Sequence, residues 1–298
     1  MSYEKSLPPE EKNRVNGGTL YLVATPIGNL SDLSERSKKV LSEVDFVAAE
    51  DTRNAMKLLS FFGIHKPLVS YFEHNKRQRG EAILARLQSG ESCALVTDAG
   101  TPAISDPGED LVRLCAQNGV PVTSVPGCCA AVNALALSGL FTGRFAFEGF
   151  LSQNKGERKK RLSAIRGEVR TLIFYEAPHH LRETLSDLIA TFGGERHVAL
   201  CRELTKRNEE ILRMTLSEAA AYYACKDPRG EYVLVVEGAY EAYGDEGQEK
   251  PDDALLSLSP EEHVKHYEDA GLSRMEAIKA AARDRGQTKS ELYRLLQN

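Results

Sequence analysis

Charged and polar side chains that follow predicted strands are the groups in this sequence best able to do chemistry. Six of them are candidates for a catalytic site, namely Glu50, Asp51, Arg53, Arg202, Glu203 and Lys206. A carboxylate in such a place can take a proton as a general base, and a cation can stabilise a developing negative charge. Arg53 and Arg202 could equally be paired with their acidic neighbours, so the residue types alone do not single out a base.

Four loops rich in glycine and proline lie at the carboxyl ends of predicted strands. They are Pro26-Ile27-Gly28-Asn29, Asp98-Ala99-Gly100-Thr101-Pro102, Val125-Pro126-Gly127 and Tyr175-Glu176-Ala177-Pro178. Such residues present backbone amides and carbonyls in unusual conformations, and ligands of open α/β sheets bind at this edge. Because no lysine or arginine lies inside these loops, they favour a folded organic ligand over a polyphosphate. The alternative is that they are ordinary connections between strands and helices.

The sequence lacks the motifs of several common chemistries. No glycine-rich dinucleotide fingerprint follows the first strand, and there is no phosphate-binding P-loop, HExxH pair or GxSxG elbow. His179 and His180 have no companions at metal-ligand spacing, and the six cysteines are not spaced as metal ligands either. We therefore predict no metal site and cysteines that stay reduced.

Alternating apolar strands and amphipathic helices must position these loops. The run from Cys93 to Val96 predicts a buried strand, the stretch from Thr19 to Ile27 predicts another, and Ser105 to Gly108 is expected to start a helix. Strand and helix alternate five times in the first part of the chain, which is typical of a parallel doubly wound sheet. The regular alternation of strand and helix ends after residue 143, and the later strands predict a mixed sheet.

The predicted fold class is therefore α/β, with two α/β domains followed by a small helical tail. The expected boundaries are a disordered extension at 1–18, α/β domains at 19–143 and 144–238, an acidic linker at 239–254 and a helical domain at 255–298. The last two helices of the tail, joined by Gly286-Gln287-Thr288, resemble a helix-turn-helix. A dimerisation or capping module is the alternative for this tail.

The composition is that of a soluble globular protein. The chain has 298 residues, 42% of them hydrophobic, and its net charge of −5 argues against a wholly basic nucleic-acid protein. No stretch has the character of a signal peptide or a membrane span, so we expect a cytoplasmic protein without membrane contact. The segment from Lys155 to Arg170 has seven basic and two acidic residues. It is either a phosphate-binding patch or a solvated charged helix.

Several long motifs, in order along the chain, resemble one known family. They are TPIGNLSDLS, AAEDTR, VTDAGTPAISDPG, VPGCCA, LIFYEAPHH and RELTK. The stretch from Thr19 to Gly238 is similar to the tetrapyrrole methylase superfamily, the class III S-adenosylmethionine methyltransferases. The motifs and the helical tail resemble its ribosomal RNA small-subunit methyltransferase I branch. His180 departs from that pattern, because the branch usually has arginine there.

The resemblance implies a cofactor, a substrate and a set of binding residues. S-adenosylmethionine would lie bent in the cleft between the two α/β domains of a homodimer. The substrate would be the ribose 2′-oxygen of a cytidine, 1402 in the standard numbering, in the decoding region of 16S ribosomal RNA in the small ribosomal subunit. The residues implied to bind the cofactor are Pro26, Asp98, Ala99, Gly100, Thr101, Ile104, Gly127, Ala130, Ala131, Phe174, Tyr175, Gly230 and Glu231.

Binding of RNA requires positive surface, and methyl transfer to a ribose hydroxyl requires a group that takes its proton. We expect the positive segment to bind RNA through Lys155, Arg158, Lys159, Lys160 and Arg161. A ribose hydroxyl that accepts a methyl group has to lose its proton, so the six charged candidates are expected to frame the acceptor site. Two other interpretations stay open: methylation of a porphyrin-like small molecule, and an RNA-binding or assembly factor that retains the cofactor pocket without turnover.

Overall fold

A computed structural model describes residues 14–239, 253–285, 287 and 289–296. The chain divides into two compact units, one ending at Ala239 and the other beginning at Tyr240. Most of the predicted N-terminal extension and nearly all of the predicted acidic linker lie outside the described residues. At the described end of the extension, the N–H of Gly18 donates hydrogen bonds to the carbonyls of Gly90 and Glu91.

The first sheet has five parallel strands, as the alternation of strands and helices predicts. The strands are β1 Leu20–Val23, β2 Phe46–Ala49, β3 Leu68–Ser70, β4 Cys93–Val96 and β5 Val122–Val125. Their order is β3-β2-β4-β1-β5, and every neighbouring pair is parallel. The helices that accompany them are α1 Glu35–Glu43, α2 Thr52–Phe61, α3 Lys76–Gln88, α4 Glu109–Gln117 and α5 Ala130–Ser138, with a 3-10 turn at Leu30–Asp32.

The strands of this sheet are apolar on both faces because helices cover both sides. Within β1, Tyr21 and Val23 belong to the core on one face, whereas Leu20 belongs to the core on the other. Parallel strands covered in this way form continuous apolar runs rather than alternating ones. Ser34 is the N-cap of α1, because its hydroxyl accepts a hydrogen bond from the Ser37 N–H at 3.0 Å.

The second sheet is mixed, which confirms the predicted fold class. Its strands are β6 Phe145–Phe150, β7 Thr171–Glu176, β8 His197–Arg202, β9 Glu210–Thr215 and β10 Tyr232–Val236. They are ordered β6-β7-β10-β8-β9; β6 and β7 are parallel, and the other neighbours are antiparallel. Helices α6 Lys155–Ala164, α7 Leu181–Phe192 and α8 Leu216–Cys225 cover one face. We refer to β1–β5 with α1–α5 as the first lobe, and to β6–β10 with α6–α8 as the second lobe.

Helix α5 joins the two lobes through small side chains. It follows β5 of the first sheet, yet Ala131 and Ala134 pack against Ile173 and Val235 of the second sheet. Small residues let the helix backbone approach the strands closely, as the run CCAAVNALALS predicts. The helix ends at Gly139, whose φ of 76° is the left-handed conformation common at a helix C-terminus.

Two element boundaries differ from the sequence prediction. β1 stops well before Ile27, because Thr25 turns and pairs with Gly100 through N–H···O bonds of 2.9 and 3.0 Å. α4 begins at Glu109 rather than at Ser105, because Ser105 has a φ of 62°. A positive φ is incompatible with a right-handed helix.

The second unit is a cluster of short helices. They are α9 Asp253–Leu256, α10 Pro260–Asp269, α11 Arg274–Asp284 and α12 Lys289–Leu295. Val264, Ile278 and Leu292 meet in its apolar core. The sequence predicts the last three of these helices but not the single turn of α9. Gly286 and Thr288 of the predicted turn lie outside the described residues.

Arg158 is buried and therefore unavailable to RNA, contrary to the sequence prediction. Helix α6 directs its side chain toward α7, where its Nε donates to Asp187 at 2.7 Å and its Nη2 lies 2.5 Å from Glu183. The whole residue is 3% exposed. Lys159 and Lys160, which follow it on the same helix, are exposed. Arg158 is thus an internal ion-pair partner that fastens α6 to α7.

Arg158→Ala should lower the free energy of unfolding by about 3 kcal/mol, because it leaves the largely buried carboxylate of Asp187 without its cation. Urea unfolding followed by circular dichroism measures the change. Lys159→Ala removes an exposed charge from the same helix and should change the free energy of unfolding by less than about 0.5 kcal/mol. Equal losses in the two variants would contradict the structural role of Arg158.

Candidate active site between the two lobes

A cavity of about 390 Å³ lies between the two lobes, beyond the carboxyl ends of β2 and β4. This is the edge of an open α/β sheet at which ligands bind. Both lobes contribute apolar side chains to its wall, namely Ile27, Ile104, Phe150, Tyr175, Leu204 and Val233. The remaining wall is made of backbone and charged groups, so the cavity suits a ligand that is partly apolar and partly charged.

The loop after β4 forms one wall of the cavity and is held in an uncommon conformation. Gly100 has a φ of 85°, and its backbone pairs with the loop after β1. Thr101 Oγ1 donates to the carbonyl of Cys128 at 2.9 Å, which ties the loop to the one after β5. Ala103 and Ser105 have φ values of 68° and 62°, which cost a residue with a side chain about 1 kcal/mol or more. Three loops thus brace one another at this edge.

Three carboxylates of the first lobe line the cavity, and two of them, Glu50 and Asp106, flank the Thr97 hydroxyl. Glu50, Asp98 and Asp106 all line the cavity, and Thr97 Oγ1 donates to Glu50 Oε2 at 3.3 Å. Burial raises the pKa of Asp106 to about 6, and the charges of Glu50 and Asp98 add to this effect. Burial, followed by the charge of Asp98, also raises the pKa of Glu50. Like charges in a partly buried site oppose one another's ionisation, so this cluster attracts a proton or a cation.

The second lobe contributes aromatic rings and a thiol to the wall. Phe150 and Tyr175 are arranged edge to face with ring centroids 5.4 Å apart, and the Tyr175 hydroxyl accepts a hydrogen bond from the N–H of Ala131 at 3.2 Å. Burial raises the pKa of Tyr175 to about 12. Burial also raises the pKa of the Cys201 thiol to about 11. These groups are uncharged at neutral pH, which suits the apolar part of a ligand.

A lysine lies on the cavity wall in the loop after β8. Lys206 Nζ donates to Glu203 and to Glu231, at 2.8 Å in each case. Burial raises the pKa of Glu203, but the hydrogen bonds from Lys206 and from the Glu231 N–H outweigh burial and hold that pKa below its usual value. A Cβ on Gly28 would lie 2.3 Å from Lys206 Cγ, so only glycine allows the loops of the two lobes to meet here.

The structure brings some of the predicted catalytic residues to the cavity and leaves others outside it. The residues on its wall are Glu50, Glu203 and Lys206. Asp51 instead caps α2 and pairs with Arg53, whose side chain is 84% exposed. Arg202 pairs with Glu210 between β8 and β9, at 3.2 Å. These last three residues therefore form local ion pairs, which is the alternative that the sequence left open.

Most residues predicted to bind a cofactor lie on the cavity wall. They are Asp98, Ala99, Gly100, Thr101, Ile104, Ala130, Tyr175 and Glu231. Gly127 and Ala131 lie behind the wall, where a Cβ on Gly127 would come within 2.8 Å of the Ala24 side chain. Gly230, with a φ of 77°, leaves room for the Glu203 side chain. Pro26 lines a second, adjacent cavity.

Phe174 points away from the cavity, contrary to the sequence prediction. Successive residues of a strand face opposite sides of the sheet, so Phe174 and Tyr175 cannot both face the cleft. Phe174 is fully buried in the core between the second sheet and α7. Asp106 lies on the cavity wall, although the sequence predicts only a helix start around it. The available signal was a carboxylate inside a loop with two prolines and two glycines.

Four of the five residues predicted to bind RNA are exposed on α6. Lys155, Lys159 and Lys160 are exposed on α6. Arg161 is also exposed, but its Nε and Nη2 donate to Glu148 at 2.7 and 2.9 Å. Three lysines on one helix are therefore the part of this segment best placed to meet phosphate groups.

Comparison with known proteins identifies the family. Residues 19–220 match the family model for Tetrapyrrole (Corrin/Porphyrin) Methylases. The chain belongs to this family. It is 47% identical over 285 residues to ribosomal RNA small subunit methyltransferase I of Halalkalibacterium halodurans, a match that covers 95% of this chain and 96% of that protein. It is 47% identical over 276 residues to the Bacillus subtilis protein of the same name, with 93% of each covered. These relatives assign the chain to the small subunit methyltransferase I branch of the tetrapyrrole methylases.

Solved structures with the same architecture are much more distant in sequence. Uroporphyrin-III-C-methyltransferase from Thermus thermophilus aligns with a TM-score of 0.53 and 19% identity, covering 73% of this chain and 94% of that one. Diphthine synthase aligns with a TM-score of 0.57 and 16% identity, covering 76% and 91%. At such identities the likeness concerns the fold alone. Because the chain belongs to this family and to this branch, it is a methyltransferase.

The described ranges contain neither membrane-spanning helices nor clusters of metal-binding side chains. None of their helices is both long enough and apolar enough to cross a bilayer. They hold no group of three or more histidine, cysteine, aspartate or glutamate side chains placed so that it could hold a metal ion. All six cysteines lie within these ranges and are free thiols.

Asp106→Asn should stabilise this methyltransferase at pH 8 and leave its stability unchanged below about pH 4. The pKa of Asp106 in the folded protein, about 6, is above its ordinary value of 3.8, so folding favours the protonated form. Ionisation above pH 6 therefore costs the folded state about 1–2 kcal/mol after allowance for partial exposure, and asparagine avoids this cost. Unfolding midpoints measured between pH 4 and pH 8 check the effect.

Asp45 provides a control of opposite sign. Two hydrogen bonds from Ser92 hold its pKa below the ordinary value. Asp45→Asn should therefore destabilise the protein at pH 7, and the difference should fade as the pH falls below about 4. A stabilisation by Asp106→Asn that does not vary with pH would contradict the proposed cause.

Proposed function

We propose that the protein transfers a methyl group from S-adenosylmethionine to the ribose 2′-oxygen of a cytidine in 16S ribosomal RNA. The proposed position is cytidine 1402 in the decoding region of the small subunit. The named relatives, which match nearly the whole chain, support this substrate. The cofactor is supported by the charge of the cavity, and that charge is the observation that carries the proposal.

The cavity wall has many more carboxylates than cations. Its acidic residues are Glu50, Asp98, Asp106, Glu176, Glu203 and Glu231. Among the described residues that line it, Lys206 is the one lysine or arginine. S-adenosylmethionine carries a sulfonium and an ammonium against a single carboxylate, so a negative wall attracts it. The demethylated product lacks the sulfonium charge, and the same wall holds it less firmly.

The shape of the wall fits the two parts of the cofactor. The apolar surface of Phe150, Tyr175 and Val233 would hold the adenine and ribose, and the backbone of the loop from Asp98 to Ile104 would hold the methionine part. A cavity of about 390 Å³ is in the range that encloses ligands of this size. When bound there, the cofactor supplies an electrophilic methyl group.

The chain's own task is to position the acceptor hydroxyl and to take its proton. Glu50 and Asp106 flank the Thr97 hydroxyl, and burial raises the pKa of both carboxyl groups toward neutrality. A base whose pKa is close to the working pH transfers protons most efficiently. We assign proton acceptance to a carboxylate oxygen of this pair. Lys206 holds Glu203 and Glu231 in place on the opposite wall.

Substrate RNA is proposed to bind along α6 and the helical tail. Lys155, Lys159 and Lys160 would contact phosphates, which sets the register of the RNA without reading its sequence. The tail from Gly271 to Asn298 has six basic and three acidic residues, which supports a second positive contact.

The active form is proposed to be a cytoplasmic homodimer. Six free cysteines suit a reducing compartment. Val132, Leu137 and Phe141, at and just beyond α5, are exposed apolar side chains that offer a surface to a second copy. Light scattering coupled to size-exclusion chromatography measures the oligomeric state directly.

Methyl transfer from labelled S-adenosylmethionine tests the proposed function. The substrates are unmodified small ribosomal subunits, naked 16S RNA and a tetrapyrrole precursor, compared side by side. We expect label on the subunit, mapped to one ribose 2′-oxygen. Label only on the tetrapyrrole would overturn the RNA substrate, and tight cofactor binding without any transfer would support a binding factor instead.

Asp98→Asn should weaken the binding of S-adenosylmethionine by about tenfold, equivalent to about 1.4 kcal/mol, and that of S-adenosylhomocysteine by less. The Asp98 carboxylate attracts the sulfonium of S-adenosylmethionine, and S-adenosylhomocysteine has no sulfonium. Isothermal titration calorimetry with both ligands measures the difference. Asp110→Asn, which changes a carboxylate paired with Lys76 outside the cavity, is the control and should leave both affinities unchanged. Equal losses for both ligands in Asp98→Asn would contradict a preference for the sulfonium.

Alanine at Lys155, Lys159 and Lys160 together should weaken RNA binding and flatten its salt dependence. Each lost phosphate contact lowers the slope of log affinity against log salt by about 1, so the slope should fall by about 2 to 3. Filter binding of small subunits at several salt concentrations measures this slope. Arg161→Ala, which removes a guanidinium already paired with Glu148, should change it by less. An unchanged slope in the triple variant would exclude α6 from the RNA interface.

A further inference from the structure

A second cavity, of about 380 Å³, opens beside the first at the carboxyl ends of β1, β2 and β4. One face of α2 lines it through Asn54, Leu58 and Phe61, and the loop after β1 contributes Pro26 and Leu30. Residues spaced by three and four along a helix share a face. At 1.5 Å per residue, the cavity follows the helix for about 10 Å.

The two cavities meet at the end of β4. Asp98 lines both of them, and Asn54 Nδ2 donates to Asp98 Oδ2 at 3.0 Å. Thr97 lines the second cavity, while its hydroxyl bonds to Glu50, which lines the first. A group placed at this junction is therefore next to the carboxylates to which we assign proton acceptance.

The end of the second cavity away from the junction is apolar and includes an accessible aromatic ring. Phe61 is 64% exposed and Leu30 is 41% exposed, although both side chains are large and apolar. Exposed apolar groups beside a cavity mark a surface that a ligand covers. Lys57, also on the wall, adds an ammonium group able to meet a phosphate.

We infer that the second cavity holds the acceptor nucleoside, turned out of the RNA stack, with its base against Phe61 and its ribose at the Thr97–Asp98 junction. The inference rests on the proposed function. Enzymes that modify one nucleotide of a folded nucleic acid commonly turn it out of the stack into a pocket, and a base stacks on an aromatic ring whatever its identity. Asn54 is a positioning residue: Asp98 occupies its Nδ2, and its Oδ1 accepts a hydrogen bond from a ribose hydroxyl.

The lining of the cavity favours a nucleotide over a tetrapyrrole. Among its described lining residues, Phe61 is the one aromatic ring and Lys57 is the one lysine or arginine. The base, ribose and phosphate of one nucleotide match the apolar, polar and cationic groups that line this cavity. A macrocycle with several carboxylates requires a wider space and more than one cation.

Phe61→Ala and Met56→Ala form a matched pair for the test. Met56 is 56% exposed on the same helix and lines neither cavity. We expect Phe61→Ala to lower kcat/KM for methyl transfer to small subunits by about 10- to 100-fold, as the loss of one stacked base predicts. Met56→Ala should change it less than about twofold, and Phe61→Tyr should restore most of the activity. The affinity for S-adenosylmethionine, measured by calorimetry, should be the same in all three variants.

Photocrosslinking provides a readout that does not depend on turnover. Small subunits that carry 5-iodocytidine at the target position are irradiated with the protein in the presence of S-adenosylhomocysteine. We expect a crosslink to a peptide that contains Phe61, and we expect Phe61→Ala to lose it while Met56→Ala retains it.

The outcomes separate the inference from the proposed function. If the wild-type protein transfers no methyl group to RNA, the proposed function fails and the inference fails with it. If the wild-type protein does methylate the subunit, full activity of Phe61→Ala or a crosslink to a segment outside the second cavity overturns the inference alone. Equal loss of activity in Met56→Ala and Phe61→Ala also overturns it, because the loss would then belong to the helix rather than to the ring.

Discussion

The packing of α5 on the second sheet is the contact on which the rest of the site depends. Ala131 and Ala134 are 4% and 0% exposed where they meet that sheet, so there is no space for larger side chains. The Tyr175 hydroxyl accepts a hydrogen bond from the N–H of Ala131, in the first turn of the helix, where N–H groups have no partner within the helix. This bond satisfies the helix end and holds the Tyr175 ring in the cavity wall.

The two lobes give the two sides of the cavity different net charges. The first lobe contributes Glu50, Asp98 and Asp106 to the cavity wall. It contributes no lysine or arginine to the lining residues that the structure describes. The second lobe contributes Lys206, which Glu203 and Glu231 already neutralise, and Glu176, which is buried and accepts a hydrogen bond from the Thr184 hydroxyl. A cationic centre is therefore drawn to the first lobe and an apolar group to the second. Keeping like charges partly dehydrated weakens the fold, and such local weakness is common where a protein has to bind or react.

Strand and loop chemistry could be predicted from the sequence, whereas the direction of individual side chains could not. Apolar runs and glycine-proline loops are local signals; they predict the sheet type of each lobe and several loops of the cavity wall, and the family resemblance implies further residues of that wall. The family resemblance implies that both Phe174 and Tyr175 face the cofactor, but neighbours along a strand face opposite sides of the sheet. The charge run around Arg158 predicts surface charge, and its partners on α7 cannot be recognised from the sequence because they lie 25 and 29 residues further along the chain. Burial of Asp106 likewise arises from tertiary packing, which no motif displays.

The Cys201 thiol could compete with the substrate for an electrophilic methyl group if it were ionised. Its sulfur lies on the cavity wall, and thiolates are strong nucleophiles toward alkyl groups. Burial raises the pKa of the thiol to about 11, and its S–H points to the carbonyl of Ala134 at 3.9 Å. Fewer than about one molecule in a thousand carries the thiolate at neutral pH. Packing thus keeps the Cys201 thiol from competing with the entering substrate for the methyl group.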